Sequence, residues 1–233
     1  MNRIVIIGGP GTGKTTLANN LGKELNIPVY HLDGINHLKD WQKRDAKERD
    51  ERILEIISNS KWITDGTYKT TLKQRIDRSD LVIFLDYSSI TRVIGIISRY
   101  FQLNGKEKPE IPGCKEKLNI DFIKFALNWN KIKRKAVDEI LEKEKNKNIL
   151  IFKNRRMLNR WYRKIFNRKI IVKGIYDDNN QNETEKKYRK LSDTKLYKSI
   201  DAKSYYTQKE RNLERKNDKE NKRFRQETLE NER

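Results

Sequence analysis

Residues 8–16 read Gly-Gly-Pro-Gly-Thr-Gly-Lys-Thr-Thr and follow directly on the apolar run Ile4-Val5-Ile6-Ile7. Gly8, Gly9, Gly11 and Gly13 let successive backbone N–H groups turn to one side and form a concave nest for anionic oxygens. Lys14 adds a mobile positive charge for the outer oxygens of that anion, and Thr15 offers a hydroxyl to a hard cation such as Mg²⁺. A helix beginning here would aim its positive dipole end at the same anion. The spacing G-x-x-x-x-G-K-[ST] is complete at Gly8, Gly13, Lys14 and Thr15, so the expected ligand is a nucleoside triphosphate carried with Mg²⁺. Gly8, Gly9, Pro10, Gly11, Thr12, Gly13, Lys14, Thr15 and Thr16 are expected to bind the nucleotide, and Thr15 to reach the metal.

Such a loop does not name a reaction, because ATPases, GTPases and small-molecule kinases share it. Three carboxylates close apolar runs further on: Asp33 after His31-Leu32, Asp65 after Trp62-Ile63-Thr64, and Asp86 after residues 81–85. In an open α/β sheet the residues just past the carboxyl ends of strands line the binding crevice. Either Asp65 or Asp86 could support a metal-bound water, with Asp65 the favoured one, and Asp33 could take the proton of an acceptor; an Asp after a strand can also be a plain turn former or helix cap. Phosphoryl transfer needs cations beyond Lys14, and Arg75, Arg92 and Arg99 are the candidates. Arg92 and Arg99 are seven residues apart, about two helical turns, so they share a face that could look toward the nucleotide.

These residues must be held by a scaffold whose elements can be read from the apolar pattern. Five β-rich runs, at 3–7, 28–32, 61–64, 81–85 and 149–152, are apolar without alternation, which suits strands covered on both faces. Helical periodicity lies between them over 15–25, 49–57, 90–103 and a long stretch over 121–145, whose apolar face runs Phe122, Phe125, Ala126, Trp129, Ile132, Val137, Ile140 and Leu141. The pattern predicts a doubly wound α/β domain over 1–172. Residues 104–118, punctuated by Pro109, Pro112 and Gly113, are expected to form a loop or small lid. From 173 to 233 apolar residues become sparse, and the expectation is a charged tail, disordered or partly helical, with no assigned role.

The formal charge is +20, and residues 99–172 alone carry 21 Lys and Arg against 8 Asp and Glu. A basic segment of this kind could meet a polyanion such as nucleic acid, or could be solvated helix faces. One cysteine, Cys114, excludes an intrachain disulfide, and with His31 and His37 it does not build a zinc site. The first strand begins within three residues of Met1 and no apolar stretch is long enough to cross a bilayer, so neither a signal peptide nor a membrane is expected, and the cytoplasm is the expected compartment.

The nucleotide loop, then Pro28-Val29-Tyr30-His31-Leu32-Asp33, Trp62-Ile63-Thr64-Asp65-Gly66-Thr67-Tyr68, Arg75, Asp80-Leu81-Val82-Ile83-Phe84-Leu85-Asp86, Arg92, Arg99 and Gly113-Cys114-Lys115-Glu116 together resemble the DNA topology modulation (FlaR-like) proteins of the adenylate-kinase-related P-loop branch. The resemblance covers roughly residues 3–166. It implies a P-loop NTPase with a nucleoside-monophosphate-kinase-like core, a parallel five-stranded sheet with helices on both faces, ATP and Mg²⁺ at the loop, and an arginine-bearing lid. Asp65-Gly66 would support the metal, Arg75 would bind on the acceptor side, and Arg92 and Arg99 would be lid-side arginines. Where many of that family carry Arg-Pro-Asp in the lid, this chain has Lys108-Pro109-Glu110, and Thr67 stands for their usual Asn. Lysine lacks the planar fork that grips phosphate bidentately, so Lys108 is not counted among the phosphate ligands.

Two functions follow. One is an ATP- and Mg²⁺-dependent phosphotransferase, with Lys14, Asp33, Asp65, Arg92 and Arg99 catalytic and the acceptor, an alcohol or a phosphate, held by Asp33 and Arg75. The other is a nucleotide-regulated protein that contacts DNA without sequence specificity through its basic segment.

Overall fold

The computed structural model describes residues 1–170 apart from Asn104 and Lys145; the expected tail over 173–233 lies outside the described residues. In chain order the main elements are β1 (Arg3–Gly8), α1 (Lys14–Leu25), β2 (Val29–His31), α2 (Leu32–Asn36), α3 (Ala46–Ser58), β3 (Trp62–Asp65), α4 (Leu72–Arg78), β4 (Leu81–Leu85), α5 (Ser89–Leu103), β5 (Glu107–Lys108), β6 (Ile111–Lys115), α6 (Ile120–Trp129), α7 (Lys135–Lys143), β7 (Ile149–Phe152) and α8 (Arg155–Phe166). The main sheet is five-stranded, in the order β2-β3-β1-β4-β7, and every pairing in it is parallel.

The period of two in a strand decides which helix covers which face. Ile4 and Ile6 of β1 point to the side covered by α1 and α8, where Leu17, Leu21, Leu158 and Tyr162 are buried with them. Val5 and Ile7 point to the other side, against Ile57 of α3, Leu72 and Ile76 of α4, and Trp129, Val137 and Leu141 beyond. Both faces being covered explains why these strands read as unbroken apolar runs. The carboxyl ends of β1, β2 and β3 lie side by side, with Ile6 in register with Asp65 and His31 with Asp65, which brings three separated loops to one edge of the sheet.

Two expectations are refined. The long helix predicted over 121–145 runs through α6 and α7 but contains a π-helical segment, Asn130–Arg134. The wider turn inserts an extra residue into the helical repeat, and Ile132, assigned by period to the buried stripe, is 56% exposed. The stretch expected as a loop or lid is a β-hairpin: β5 and β6 pair antiparallel, and its base is closed where Glu116 N–H donates to Lys106 O at 3.0 Å.

Candidate active site

The β1–α1 connection is built as the glycine spacing demands. Gly13 takes φ +87° immediately before α1, and a Cβ placed on it would meet nothing within 4 Å, so this side of the loop is open to a ligand. Gly11 is pressed on the other side against α5, where a Cβ would come within 2.1 Å of the Arg92 carbonyl oxygen. Thr12 is buried, and its hydroxyl ties the turn by donating to Gly9 O at 2.9 Å. Lys14 Nζ donates to the same carbonyl at 2.9 Å. Thr16 sits in the first turn of α1, where its carbonyl accepts from Asn20 Nδ2 at 2.8 Å.

Asp65 is the hub below the loop. Its Oδ2 accepts from Thr15 Oγ1 at 2.7 Å, and its Oδ1 lies 2.9 Å from His31 Nδ1 on β2. His31 Nε2 is in turn 3.1 Å from Asn19 Oδ1 on α1. Burial opposes the imidazolium, but the hydrogen bond and charge of Asp65 outweigh it and raise His31 above its ordinary value. A hydroxyl beside a carboxylate is a donor set suited to Mg²⁺, and the described residues hold no cluster of three or more His, Cys, Asp or Glu able to bind a metal alone. The residues therefore fit a Mg²⁺ ion that arrives with nucleotide phosphates, which supply its other ligands. Next along, Thr67 Oγ1 donates to Gly8 O and accepts from Gly8 N–H, both at 3.0 Å, so threonine at this position splices the β3 exit onto the end of β1.

Asp33 stands in the first turn of α2, and Tyr68 OH donates to its Oδ1 at 2.9 Å. The Tyr68 phenol is pushed well above its ordinary value by burial and by the Asp33 charge, so it remains a donor. The Arg49 guanidinium lies over the Tyr68 ring, 5.1 Å from its centroid. Burial lowers Lys14, as do the charges of Arg99 and Lys108, while Asp33 and Asp65 act in the opposite direction.

A family model described as an AAA domain matches residues 3–110. Over 93 residues the chain is 30% identical to the "Adenylate kinase" of Bartonella tribocorum, covering 40% of this chain and 47% of that protein. It is 52% identical over 33 residues to "Adenylate kinase 2" of a Synechocystis species, covering 14% of this chain and 18% of that one. The chain thus spans less than half the length of either relative. A solved structure of shikimate kinase from Acinetobacter baumannii in complex with shikimate aligns at TM-score 0.45 and 17% identity, over 72% of this chain and 94% of that one. The fold is that of an adenylate-kinase-like P-loop NTPase.

Within this P-loop fold the predicted arginines go to different places. Arg75 is fully buried on α4, where NH1 donates to Gly66 O at 2.9 Å and NH2 to Tyr68 O at 2.8 Å, so its guanidinium secures the 66–68 turn. Burial, only partly offset by Asp65 and its neighbours, lowers it to about 9. Arg92 is also fully buried: Nε donates to Ala126 O, NH1 to Tyr87 O and to Asn130 Oδ1, and NH2 to Ser89 Oγ. It sits behind the loop, against Gly9 and 5.4 Å from the Trp129 ring, joining α5 to the π-helical segment. Arg99 instead reaches the hairpin, where Nε donates to Glu116 Oε1 at 3.0 Å and NH2 lies 2.9 Å from the same oxygen. Asp86 is buried in a pair with Arg134, whose Nε and NH2 each lie 3.0 Å from it, and with Lys153.

Thr67, Tyr68 and Glu116 were not among the residues expected to act, because each is placed by a contact with a distant segment, at Gly8, Asp33 and Arg99 respectively. Lys108, set aside as a poor phosphate ligand, is buried on β5 with Nζ 3.3 Å from Glu116 Oε2 and 4.8 Å from the Trp41 ring centroid. Its ammonium is lowered by burial first and then by the Arg99 charge, with Glu116 and Asp33 opposing. Cys114 is buried where the hairpin docks: Trp41 N–H donates to Sγ at 3.2 Å, and the thiol donates to Leu38 O at 3.2 Å. Among the described residues no helix is long and apolar enough to cross a membrane.

Proposed function

We propose that this chain is an ATP- and Mg²⁺-dependent phosphotransferase whose acceptor is an alcohol. The observation that carries the reading is the placement of Asp33, held by Tyr68 at 2.9 Å and close enough to Lys14 for its charge to act on that ammonium. A carboxylate near the cation that holds the outer phosphates can orient an acceptor hydroxyl and take its proton. Arg75, the cation expected to serve a phosphate acceptor, is instead engaged with the Gly66 and Tyr68 carbonyls. The partial likeness to proteins named adenylate kinase supports the phosphotransferase class.

In this reading Lys14 and the backbone N–H groups of residues 9–16 other than Pro10 hold the triphosphate, the Gly8 N–H being engaged with Thr67. Thr15 and Asp65 hold Mg²⁺, which neutralises charge between the outer phosphates when bound. His31 orients Asp65 through the 2.9 Å contact, and Tyr68 leaves one Asp33 oxygen for the acceptor by occupying the other. Arg99, joined by Lys108, supplies positive charge toward the transferring group, while Arg75 and Arg92 act through the backbone they brace. The resemblance to DNA topology modulation proteins rests on the sequence elements alone, and a DNA-contacting role rests on charge alone.

The test is a screen of acceptors with γ-labelled ATP, covering nucleosides, nucleoside monophosphates and sugar-like alcohols. Transfer to an alcohol that falls about 100-fold or more in Asp33→Asn, with ATP affinity held within about 3-fold, is the expected result. Transfer confined to nucleoside monophosphates overturns the alcohol; transfer to none, with nucleotide-dependent DNA binding, overturns the enzyme.

A further inference from the structure

Glu116 is a buried carboxylate, 3% exposed, just past the end of β6. Its Oε1 takes the Nε and NH2 edge of Arg99 from α5, and its Oε2 stands 3.3 Å from the ammonium of Lys108 on β5. One carboxylate therefore ties a helix behind the phosphate loop to the hairpin in front of it. Both cations stand on elements packed around the loop: α5 meets Gly11 at the Arg92 carbonyl, the hairpin meets α2 where a Cβ on Gly34, next to Asp33, would come within 2.3 Å of Glu110 O, and the charges of both cations act on Lys14. The Glu116 tie orders these long side chains in a place where the proposed reaction would need them.

The hairpin is also docked from the other side. Trp41 Nε1 donates to Lys115 O at 3.0 Å while its ring faces Lys108, and a Cβ on Gly34 of α2 would come within 2.3 Å of Glu110 O. To offer that ring, Asp40 and Trp41 take φ +57° and +63°, left-handed values that are uncommon for such residues. A turn that accepts this cost to hold the tryptophan against the hairpin indicates that the position of Lys108 is specified by its surroundings.

We propose that Glu116 is a positioning residue for phosphoryl transfer: it fastens Lys108 of the hairpin to Arg99 of α5, and so sets both cations beside Lys14 around the phosphate that moves. This rests on the phosphotransferase reading and adds to it a residue that touches neither nucleotide nor acceptor. It also carries a signature that a merely structural carboxylate would lack. A negative charge near a triphosphate weakens ground-state binding, so neutralising it should strengthen binding of MgATP while the loosened cations serve the transition state less well.

The experiment compares wild type, Glu116→Gln, the Arg99→Met/Lys108→Met pair and the triple variant, using MgATP binding by calorimetry and MgATP turnover. For Glu116→Gln, Kd and KM for MgATP should fall about 3- to 10-fold and kcat about 10- to 100-fold. Adding Glu116→Gln to the Arg99/Lys108 pair should change kcat less than about 2-fold, because the carboxylate would have nothing left to position. Should Glu116→Gln fail to fold, Glu116→Asp keeps the charge but cannot span both cations, and its kcat should fall with Kd unchanged. Wild type that takes up no MgATP sinks the phosphotransferase reading and this proposal with it. Wild type that binds MgATP while Glu116→Gln binds it equally or less tightly, or a kcat loss of equal size in both backgrounds, overturns the role of Glu116 alone.

Discussion

Gly11 and Gly95 touch backbone to backbone: a Cβ on Gly95 would come within 2.0 Å of the Gly11 carbonyl oxygen and 3.0 Å of Arg155 NH2. The phosphate loop is therefore laid directly on α5, and the missing side chain at Gly95 is what lets it lie there. Helix propensity alone favours Ala over Gly by about 1 kcal/mol in a helix interior. Gly95→Ala should nonetheless weaken MgATP binding about 10- to 100-fold by lifting the loop, with far-ultraviolet circular dichroism retained. Calorimetry checks it, and a variant that melts higher with unchanged affinity would show that the contact is inconsequential.

Asp65 joins Thr15 at 2.7 Å and His31 at 2.9 Å, so its carboxylate is oriented from the first turn of α1 and from the end of β2. Asp65→Asn keeps the shape and removes the charge that would favour a divalent cation near the Thr15 hydroxyl. Affinity for ATP without Mg²⁺ should stay within about 3-fold, while the gain on adding Mg²⁺ shrinks by roughly 1–2 kcal/mol. Titrating nucleotide binding against Mg²⁺ at fixed ionic strength gives the comparison, and an undiminished gain would remove Asp65 from the metal.

Asp80 clamps the amino-terminal strand: its Oδ2 accepts from the N–H groups of Asn2 and Arg3 at 2.7 and 3.1 Å, and its Oδ1 from Arg3 Nε and NH2 at 3.1 and 2.7 Å. Burial pushes this carboxyl up, but those hydrogen bonds and the Arg3 charge outweigh it and hold the group below its ordinary value. A depressed folded-state pKa contributes stability that is present above the unfolded value, about 3.9, and is lost as pH falls through the folded one. Asp80→Asn should thus cost roughly 1–2 kcal/mol at pH 7, with the gap to wild type closing below about pH 4. Urea midpoints measured across that range decide it; a gap independent of pH would assign the loss to shape, not charge.

The residues that were legible in the sequence are those whose role is set by local chemistry. An anion nest needs glycines, a lysine and a hydroxyl at fixed spacing, and a strand covered on both faces needs an unbroken run such as Ile4 to Ile7, so the shape of the loop and the parallel sheet were readable, as was the place of Asp65 at a strand end beside Thr15. What spacing cannot give is the far end of a long side chain. Arg92 and Arg99 share a helical face, yet one turns back to the Ala126 and Tyr87 carbonyls and the other reaches out to Glu116. Gly95, Tyr68 and Glu116 depend on partners at Gly11, Asp33 and Arg99, and no period or motif encodes such pairs. Ile132 was misplaced because the repeat assumed for it is interrupted by the Asn130–Arg134 segment.

Arg92 separates bracing from catalysis in a single measurement. Its guanidinium satisfies the carbonyls of Ala126 and Tyr87 and two side-chain acceptors, Asn130 and Ser89, with no exposed surface. Burial lowers it from its ordinary value against the opposing charge of Asp86, yet it remains a cation with its donors engaged. Arg92→Met leaves buried carbonyls without donors, and the loss should be roughly 2–4 kcal/mol of stability, seen as a lower urea midpoint. Arg92→Lys restores the charge but not the fork, so it should recover little of that stability. A residue that instead gripped the transferring phosphate would show the opposite pattern, an unchanged midpoint with kcat reduced in both variants, and that outcome would return Arg92 to the phosphates.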